Sequence, residues 1–424
     1  MRDILTDEYV FYQSIFDKAE EIASYYGFKP IQTPHLEKAE LFTAAIGEST
    51  DIVEKEMYTL KTAGGDKLAL RPEGTAAVMR AYIEHGMHTL PQPVMLWYKG
   101  SFFRHESPQR GRFREFQQFG LEIIGEAKPI GEAIVIQVIF TTLKELGLGP
   151  LTVGINSIGD KECRGEYRKK LVSYYRKNKD NLCKACQKRI KTNPLRLLDC
   201  KELCCLEIKK NAPKTVDYLC APCKQHFKEV LEFLGSSEIS YFFDTHLVRG
   251  LDYYSRTVFE IFADDKSAPE NSTPLSLAGG GRFDYLAKIL GRRDAPGVGG
   301  GIGADRVAMA MRQKNIIPRQ KEAPEAFFIQ LSQTAKQKSL NIMEKLRMAK
   351  IRIAQSISKD NLNSQLGLAS KLKAPYVLIM GQKEALENSI IIRNMDSGTQ
   401  ESAPIKKVVE ILKKKIKKEE ENKL

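Results

Sequence analysis

Two amphipathic helices are predicted in the first third of the chain. Apolar side chains recur with a helical period over residues 7–26, where Thr6 can cap the start of the helix and Gly27 can end it. A second helix with the same period is predicted from Ala133 to Leu146. Both patterns leave one face apolar, so both helices are expected to pack against a sheet or another helix.

Between and after these helices the pattern changes to that of strands. The runs MYTLK and KLALR, joined by TAGGD, predict a β-hairpin. The stretch from Val94 to Gly125 predicts two long antiparallel strands joined by the polar turn SPQRGR, and LTVGINSIG predicts a further strand. Strands joined by short turns pair antiparallel, so an antiparallel sheet is expected here.

The character of the sequence changes near Asp160. Residues 160–239 are rich in lysine, cysteine and short helical stretches, which predicts an inserted domain. Strand patterns return at SYFFDTHLVRG and RTVFEIFA, and the polar residues 264–274 are predicted to form a surface loop. The segments LSLAGGGRFDYLAKIL and GVGGGIGADRVAMAM then predict a strand, a glycine turn and a helix.

Beyond a linker predicted at residues 319–324, strands and helices alternate, which is typical of a small α/β domain. The predicted elements are, in order, strand AFFIQL, helix 334–349, strand IRIAQS, helix 361–373, strands YVLIMG and SIIIRN, and a last helix from about Ile405. A chain of 424 residues exceeds what one core usually organises. We therefore predict a first domain formed by residues 1–159 and 240–320, the insertion 160–239, and a last domain 324–424.

The composition is that of a soluble globular protein, with 42% hydrophobic and 28% charged residues. The sequence has no apolar run of about 18 residues and no signal-peptide core at its start, so we expect a cytoplasmic protein without a membrane partner. The net charge of +13 favours a polyanionic partner. A general lysine bias together with the terminal run KKKIKKEEENKL would also produce this charge.

Charged side chains are concentrated on the predicted long hairpin. Arg104 and Glu106 fall on alternate positions of one strand and share a face, as do Gln118 and Glu122 on the partner strand. Guanidinium and carboxylate groups on one side of a sheet are costly unless they are exposed or paired. An anionic ligand that also carries an amine would pair them, and a solvated strand face is the alternative interpretation.

Three further segments place polar groups next to predicted strands. Glu73 and Thr75 follow the apolar run LAL, where they could receive a ligand ammonium group or only close a turn. In LVRGLDYYSRTVFE, Arg249 is close to Tyr253 and Tyr254. The segment GVGGGIGADR ends in an arginine where a helix begins; such a place attracts phosphate, although a packing cluster of glycines gives the same pattern.

Together these motifs resemble those of one family. FRHE and GIGADR resemble motifs 2 and 3 of the class II aminoacyl-tRNA synthetases, and LVRGLDYY and GGGRFDYL resemble stretches peculiar to the histidyl-tRNA synthetases. The similarity extends over essentially the whole chain, through IGESTDIVEKEMYTL, LALRPEGT and TNPLRLLDC. It implies an α+β fold: a class II antiparallel sheet flanked by helices as the catalytic domain, an inserted cysteine-rich helical domain, and a C-terminal α/β anticodon-binding domain.

The resemblance also implies roles for individual residues. Those implied to bind histidine are Glu73, Gly74, Thr75 and Gln118 near its α-amino group, and Glu122, Tyr253 and Tyr254 near its imidazole ring. Arg104 is implied to bridge the histidine carboxylate and the ATP α-phosphate, and Arg249 to act in the activation step. The remaining residues implied to bind ATP are Glu106, Arg112 and Arg306.

The implied reaction is the ATP-dependent ligation of L-histidine to tRNA(His) by a homodimer, through a histidyl-adenylate. Negative charge builds on the phosphates in the transition state, where fixed guanidinium groups and Mg²⁺ would stabilise it. Glu122 would select histidine, because a side chain without a suitably placed N–H leaves a buried carboxylate unpaired.

Two alternatives share this fold: a non-catalytic regulatory subunit of histidine biosynthesis and a tRNA-sensing module. The presence of the C-terminal domain and of Arg104, Glu122, Arg249 and Arg306 favours the enzyme over both.

All eight cysteines lie between Cys163 and Cys223. A secreted disulfide-bonded protein would spread its cysteines along the chain. The four hypothesised ligands of a structural Zn²⁺ have the spacing of two CxxC knuckles and are Cys183, Cys186, Cys220 and Cys223. Reduced thiols in a helical insertion are the alternative.

Overall fold

A mixed sheet of eight strands organises the first of two structural units, which comprise residues 1–318 and 319–424. The computed structural model describes residues 1–107, 111–263, 275–291, 294–318 and 323–421. The predicted surface loop at 264–274, part of the SPQRGR turn and most of the predicted linker at 319–324 lie outside the described residues.

The described part of the first unit consists of short and long strands interspersed with helices. Its strands are β1 (Lys29–Pro30), β2 (Leu36–Lys38), β3 (Thr59–Lys61), β4 (Lys67–Leu70), β5 (Val94–Phe103), β6 (Glu115–Ile124), β7 (Leu151–Ser157), β8 (Tyr241–Phe243), β9 (Ser255–Ala263), β10 (Ser276–Arg282) and β11 (Gly297–Gly303). Its α-helices are α1 (Thr6–Tyr25), α2 (Ala39–Ile46), α3 (Thr75–Glu84), α4 (Ile130–Glu145), α5 (Lys161–Lys177), α6 (Lys184–Thr192), α7 (Leu203–Lys210), α8 (Ala221–Ser236), α9 (Leu286–Ile289) and α10 (Ala304–Gln313). A π-helical turn at Ile52–Glu56 and 3-10 turns at Met87–Thr89, Lys179–Asn181, Pro194–Asp199 and Thr215–Tyr218 complete these elements.

The large sheet has the strand order β1-β5-β6-β11-β10-β9-β7-β8. Its six central strands pair antiparallel, whereas β1 and β8 pair parallel to their neighbours at the two edges. The long hairpin predicted at 94–125 is β5 and β6, paired from Val94↔Ile124 to Phe103↔Glu115. A small antiparallel sheet, β2-β4-β3, contains the hairpin predicted from MYTLK and KLALR.

Alternation along β6 separates the two faces of the large sheet. Phe119, Leu121 and Ile123 belong to an apolar core that the sheet forms with α1, α4 and α10. Gln118 and Glu122 occupy the intervening positions and therefore point to the opposite face. That face is covered by α2, α3, α9 and the inserted segment, which share a second core. The sheet thus has one side that is mainly apolar and one side on which Glu122 and Gln118 are enclosed.

A buried ion cluster joins α8 and α4 to the sheet. Arg282, at the end of β10, is 0% exposed and forms a salt bridge with Glu132 of α4. Its Nη1 and Nη2 groups also donate to the carbonyl oxygens of Glu126 and Lys128, at 2.8 and 3.0 Å. His226 Nε2 of α8 contacts Glu132 Oε1 at 2.5 Å. Because the guanidinium and the carboxylate pair with each other and with further polar groups, both charges are tolerated in the core.

The second unit is built on a mixed sheet of five strands. Its described strands are β12 (Ala326–Gln330), β13 (Ile353–Gln355), β14 (Tyr376–Met380), β15 (Ser389–Asn394) and β16 (Gln400–Pro404), and its helices are α11 (Gln333–Met348), α12 (Leu362–Lys371), α13 (Gln382–Glu387) and α14 (Val408–Glu421), with a 3-10 turn at Ile405–Lys407. The order is β13-β12-β14-β15-β16, in which β12 pairs parallel to both of its neighbours and the last three strands pair antiparallel. Apolar clusters cover both faces of this sheet.

Most of the predicted elements are present, and the differences have local causes. Thr6 does not cap α1: it is the first helical residue, Leu5 occupies the N-cap position, and no side chain caps the helix. The GVGGGIG segment is the strand β11 and not a glycine turn. Helix α13 and strand β16 were not predicted; α13 has only six residues, too few to show a helical period, and β16 is mostly exposed. No helix in the described residues is long and apolar enough to span a bilayer.

We expect the substitution Arg282→Met to lower the free energy of unfolding of the first unit by roughly 3–5 kcal/mol, because it leaves the Glu132 carboxylate buried without its main partner. Urea unfolding followed by the fluorescence of Trp97, the single tryptophan, reports on this unit. The matched control is Lys288→Met, whose side chain is 63% exposed and whose change should stay within about 0.5 kcal/mol. Equal effects of the two substitutions would contradict the structural role of the ion cluster.

Candidate active site

Two buried carboxyl groups, Glu73 and Glu122, lie close together on the enclosed face of the large sheet. Glu73 follows β4 and precedes α3, where its carboxylate accepts hydrogen bonds from the backbone N–H groups of Thr75 at 2.7 Å and Ala76 at 2.9 Å. These N–H groups are the free donors of the first helical turn, so Glu73 is fixed by the start of α3. The abrupt strand end predicted at LALRPEGT is therefore a strand-to-helix junction.

Glu122 lies on β6, and only one of its two carboxyl oxygens accepts hydrogen bonds from the described residues. Its Oε1 accepts hydrogen bonds from the Thr75 hydroxyl at 2.7 Å and from the Tyr98 hydroxyl at 3.0 Å. Its Oε2 is buried and has no hydrogen-bond partner among the described residues. An unsatisfied buried carboxylate oxygen is costly, so its presence indicates a position that a ligand donor can fill.

Burial and, to a smaller extent, the nearby charge of Glu73 raise the pKa of Glu122 to about 8, although the Thr75 and Tyr98 hydroxyl donors oppose this shift. Burial also raises the pKa of Glu73, while its bonds to the start of α3 and to Tyr253, and the charge of Arg104, oppose that shift. Both carboxyl groups therefore gain from a ligand that brings positive charge or N–H donors to them.

Paired glycine strands form the wall beside Glu122. Residues 279–281 of β10 pair with residues 299–301 of β11, glycine against glycine. A Cβ atom at Gly299 would lie 1.8 Å from Glu122 Oε2, and one at Gly301 would lie 2.2 Å from Gln118 Nε2. Side chains of this strand face would therefore occupy the space of Glu122 and Gln118. The glycines act by leaving room for these side chains, which corrects the expectation of a glycine turn that approaches phosphate.

Tyr98 is a site residue that the sequence did not reveal. It lies on β5 opposite Gly120 and donates its hydroxyl hydrogen to Glu122. A Cβ atom at Gly74 or at Gly120 would lie 2.3 or 2.2 Å from the Tyr98 ring, so both glycines are needed for the ring to fit. The only signal in the sequence was this pair of glycines next to the predicted polar positions, and it became interpretable once the strand register was known.

Tyr253 and Tyr254 lie next to the two carboxyl groups. The Tyr253 hydroxyl donates to Glu73 Oε2 at 3.1 Å, and the two tyrosine ring centroids are 4.7 Å apart. Burial raises the pKa of Tyr254, an effect that the charge of Arg249 opposes and the charges of Glu122 and Glu73 increase. The LVRGLDYY segment thus brings its tyrosines to the carboxyl groups, and Tyr254 also lies within electrostatic range of Arg249.

Four arginines border the other half of the site. Arg104 lies just beyond β5, where its Nε donates to the carbonyl oxygen of Pro72 at 2.9 Å. Because both Arg104 and Glu106 lie beyond the strand, the expected alternation of a strand face does not apply to them; they still approach each other, with Nη1 and Oε1 3.7 Å apart. Arg112 Nη1 donates to Glu106 Oε2 at 2.9 Å.

The other two arginines belong to the segments LVRGLDYY and GIGADR. Arg249 forms a salt bridge with Glu260 of β9, a residue not predicted as part of the site. Arg306 Nη1 donates to the carbonyl oxygen of Ser276 at 2.9 Å. Burial lowers the pKa of Arg306, and the positive charges of Arg112 and Arg249 lower it further. The negative charges of Glu260 and Glu106 oppose this shift.

These charged groups therefore belong to one region. The structure brings all of the predicted ligand-binding residues into two adjoining halves, one rich in carboxyl and phenol groups and one rich in guanidinium groups. Arg104 connects the halves, because its backbone contact is to the residue before Glu73 and its charge acts on Glu73. The arrangement can hold an ammonium or imidazole group at one end and several phosphate oxygens at the other.

The cysteines, in contrast, do not form the predicted set of four. Cys183 and Cys186 lie in a four-thiol cluster whose members are Cys183, Cys186, Cys200 and Cys205. Cys220 and Cys223 lie in an aspartate cluster whose members are Asp160, Cys163, Cys220 and Cys223. The hypothesised zinc ligands are thus corrected: Cys183 and Cys186 meet Cys200 and Cys205, at the start of α7, whereas Cys220 and Cys223 meet Asp160 and Cys163, at the start of α5.

The chain is similar to known proteins over nearly its whole length. A family model described as histidyl-tRNA synthetase matches residues 1–307, and one described as anticodon binding domain matches residues 316–415. Histidine–tRNA ligases of Caldicellulosiruptor bescii and Natranaerobius thermophilus are 40% and 38% identical to the chain over 419 and 413 residues, with 98% and 97% of both chains covered. The crystal structure of apo Staphylococcus aureus histidyl-tRNA synthetase is similar, with a TM-score of 0.80, 31% identity, and coverage of 97% of this chain and 98% of that one.

We expect the Glu122 carboxyl group to titrate near pH 8 in the ligand-free protein, which ¹³C NMR of labelled glutamate side chains can measure. Tyr98→Phe removes a donor to the carboxylate and should raise this pKa, whereas Tyr82→Phe, a control that removes a hydroxyl bonded to Gln92, should leave it unchanged. A midpoint near the ordinary value of 4.5 would contradict the burial argument.

The same titration makes the free energy of unfolding depend on pH. The folded chain retains this proton up to about pH 8, whereas the unfolded chain releases it near 4.5. The contribution of Glu122 to the free energy of unfolding should therefore fall as the pH rises through that window.

Proposed function

The chain belongs to the histidyl-tRNA synthetase family, and from this premise we propose that the two halves of the site described above perform the family reaction. The reaction is ATP-dependent ligation: histidine and ATP form histidyl-adenylate and pyrophosphate, and the histidyl group then passes to the 3′ end of tRNA(His). The observation that carries the assignment of the site is the free Oε2 of Glu122, buried beside a wall of glycines.

Histidine is recognised in the carboxyl-rich half. Its imidazole N–H donates to Glu122 Oε2, while Tyr254 lies on the same side of the site and Tyr253 fixes Glu73. The α-ammonium group is received by Glu73, the Thr75 oxygen and Gln118. An amino acid of similar size without an N–H donor would leave Glu122 unpaired, so discrimination on the order of 10⁴-fold is expected. Gly74 contributes by leaving room for the Tyr98 ring.

Adenylate formation takes place where the two halves meet. A carboxylate oxygen of histidine attacks the α-phosphorus of ATP, and pyrophosphate departs as the bond to the β-phosphate breaks. Arg104 bridges the carboxylate and the α-phosphate, and Arg249 stabilises the charge that develops on the α-phosphate oxygens. Both guanidinium groups are held by protein acceptors, Pro72 O and Glu260 respectively, so little reorganisation is required in the transition state.

The outer phosphates are bound by Arg112 and Arg306. Two carboxylates, Glu106 and Glu260, lie within electrostatic range of Arg306 and offer the hard oxygen donors that Mg²⁺ prefers. Mg²⁺ held on these carboxylates would neutralise charge on the bound triphosphate. The net charge of +13 supports tRNA as the second, polyanionic substrate. We further infer a homodimer in the cytoplasm, as the family resemblance implies.

The two non-catalytic alternatives have less support. The match to an anticodon binding domain covers residues 316–415, and both Arg104 and Arg249 lie within electrostatic range of the carboxyl-rich half. A regulatory or sensing protein would not need guanidinium groups aimed at a reacting phosphate. The combination therefore supports the ligase.

ATP–pyrophosphate exchange with each of the twenty amino acids tests the proposal. Histidine alone should support exchange, and the transfer step should then require tRNA(His). A folded protein that shows no histidine-dependent exchange would move the function to one of the two alternatives, and exchange with several amino acids would contradict selection by Glu122.

Two substitutions should distinguish an effect on the adenylation rate from an effect on histidine affinity. Arg249→Ala should keep histidine affinity within a few-fold but lower the adenylation rate by roughly 10²–10³-fold, because its charge acts on the transition state. Glu122→Ala should instead abolish measurable histidine binding, because it removes the acceptor for the imidazole N–H. Calorimetry gives the affinities and single-turnover kinetics gives the rates.

The control for both substitutions is Arg312→Ala, which removes an arginine whose side chain is 60% exposed and should change neither quantity. If Arg249→Ala weakens histidine binding as much as it slows adenylation, Arg249 contributes to ground-state binding and the proposed role is wrong.

A further inference from the structure

The cysteines of the inserted segment form two separate groups of metal-binding side chains. The ligand atoms of the four-thiol cluster all lie within 4.8 Å of one another, and so do those of the aspartate cluster. All eight cysteines lie in described residues, and all are free of disulfide bonds. Seven belong to these clusters, whereas Cys204 is exposed and belongs to neither.

The four-thiol cluster has the dimensions of a tetrahedral site. Cys183 caps the start of α6, and the N–H of Cys186 donates to Cys183 Sγ at 3.4 Å. The N–H of Cys183 in turn donates to Cys205 Sγ at 3.4 Å. The Sγ atoms of Cys183 and Cys200 are 3.8 Å apart. Sulfur atoms at tetrahedral positions around Zn²⁺, each about 2.3 Å from the metal, are separated by about 3.8 Å.

The aspartate cluster uses one side chain for two purposes. Asp160 Oδ1 accepts hydrogen bonds from the N–H groups of Glu162 and Cys163 and thereby caps α5. Its Oδ2 faces the two thiols at the start of α8, 3.1 Å from Cys223 Sγ and 3.7 Å from Cys220 Sγ. One carboxylate oxygen is thus available as a fourth ligand beside three sulfur atoms.

Backbone N–H groups that point at sulfur support a bound metal in both clusters. Besides the two such bonds in the four-thiol cluster, the N–H of Cys220 donates to Cys163 Sγ at 3.1 Å. A neutral thiol is a weak acceptor, whereas a metal-bound thiolate is stabilised by such donors. Four converging thiols without a metal would gain little from this arrangement.

The surroundings also suit metal cross-links. Helices α6 and α7 have nine and eight residues, lengths at which an isolated helix is marginal in water. Zn²⁺ bound by four thiolates, or by three thiolates and a carboxylate, carries a net charge of −2. Residues 160–239 contain 19 Lys and Arg against 11 Asp and Glu, so the segment has the positive charge to balance two such sites.

We propose that the inserted segment holds two structural zinc ions, one in the four-thiol cluster and one in the aspartate cluster. Zinc is the divalent metal that prefers tetrahedral thiolate and carboxylate ligands without redox chemistry. The first ion fastens the turn at Pro194–Asp199 and helix α7 to the start of α6. The second ion fastens the start of α5 to the start of α8, the two ends of the insertion. The proposal concerns the folding of this segment and is independent of the catalysed reaction.

Metal analysis of the full-length protein, grown with added zinc and purified without chelators, tests the proposal. We expect two zinc ions per chain. Cys186→Ser and Cys223→Ser should each reduce the content to one ion, and the double variant should contain none. Cys204→Ser is the matched control, since it removes a cysteine that is adjacent to Cys205 but outside both clusters, and it should retain two ions.

A second measurement does not depend on the folding of variants. Cobalt exchanged into the unmodified chain should give the intense visible absorption of tetrahedral cobalt with thiolate ligands, at a stoichiometry of two. A content of one or no zinc ion per chain, iron in place of zinc, or octahedral cobalt spectra would each overturn the proposal. Loss of an ion in Cys204→Ser would overturn the assigned ligand set.

Discussion

The burial of the Glu122 carboxyl group on the enclosed face of the sheet is the constraint on which the site depends. A carboxyl group in this position needs donors, and the protein supplies two of them to the same oxygen, from Thr75 and Tyr98. The second oxygen remains for a ligand. Because its donors are themselves held by a helix start and by packing against glycines, the carboxyl group is oriented before a ligand arrives, and little ordering cost remains at the moment of binding.

Two arginines of the site are also held in place by partner side chains. Arg249 and Arg112 each pair with a carboxylate, Glu260 or Glu106, and therefore occupy defined positions without phosphate. An arginine without such a partner would lose side-chain entropy when the substrate binds. In the proposed reaction, these paired arginines would stabilise the negative charge that develops on the phosphates.

Features that depend on the local pattern of residues could be predicted from the sequence. Features that depend on which strands become neighbours could not. The alternation of β6 predicted that Gln118 and Glu122 share a face, and the motif resemblance supplied the remaining candidate site residues. Tyr98 was missed because an aromatic residue in a strand usually belongs to the core, and only the register shows that it faces Gly120.

The predictions of a glycine turn and of a zinc site formed by two CxxC pairs were wrong for the same reason. GVGGGIG has the composition of a turn, yet the extended partner strand β10 makes it a strand. The spacing of two CxxC pairs suggested that they share one metal. The tertiary fold instead brings Asp160 and Cys163 to one pair and Cys200 and Cys205 to the other, which no short-range pattern encodes. Local rules therefore identified the chemically important residues more reliably than they identified the partners of those residues.

The paired glycines of β10 and β11 also limit how the pocket can change over time. Main-chain atoms form this wall, and a point mutation can only add atoms to it, which would collide with Glu122, Gln118 or Arg249. An inhibitor that rests against the wall would thus contact a surface that cannot retreat or alter its hydrogen-bonding groups by substitution. Drug resistance would therefore have to arise at positions of the pocket other than these glycines.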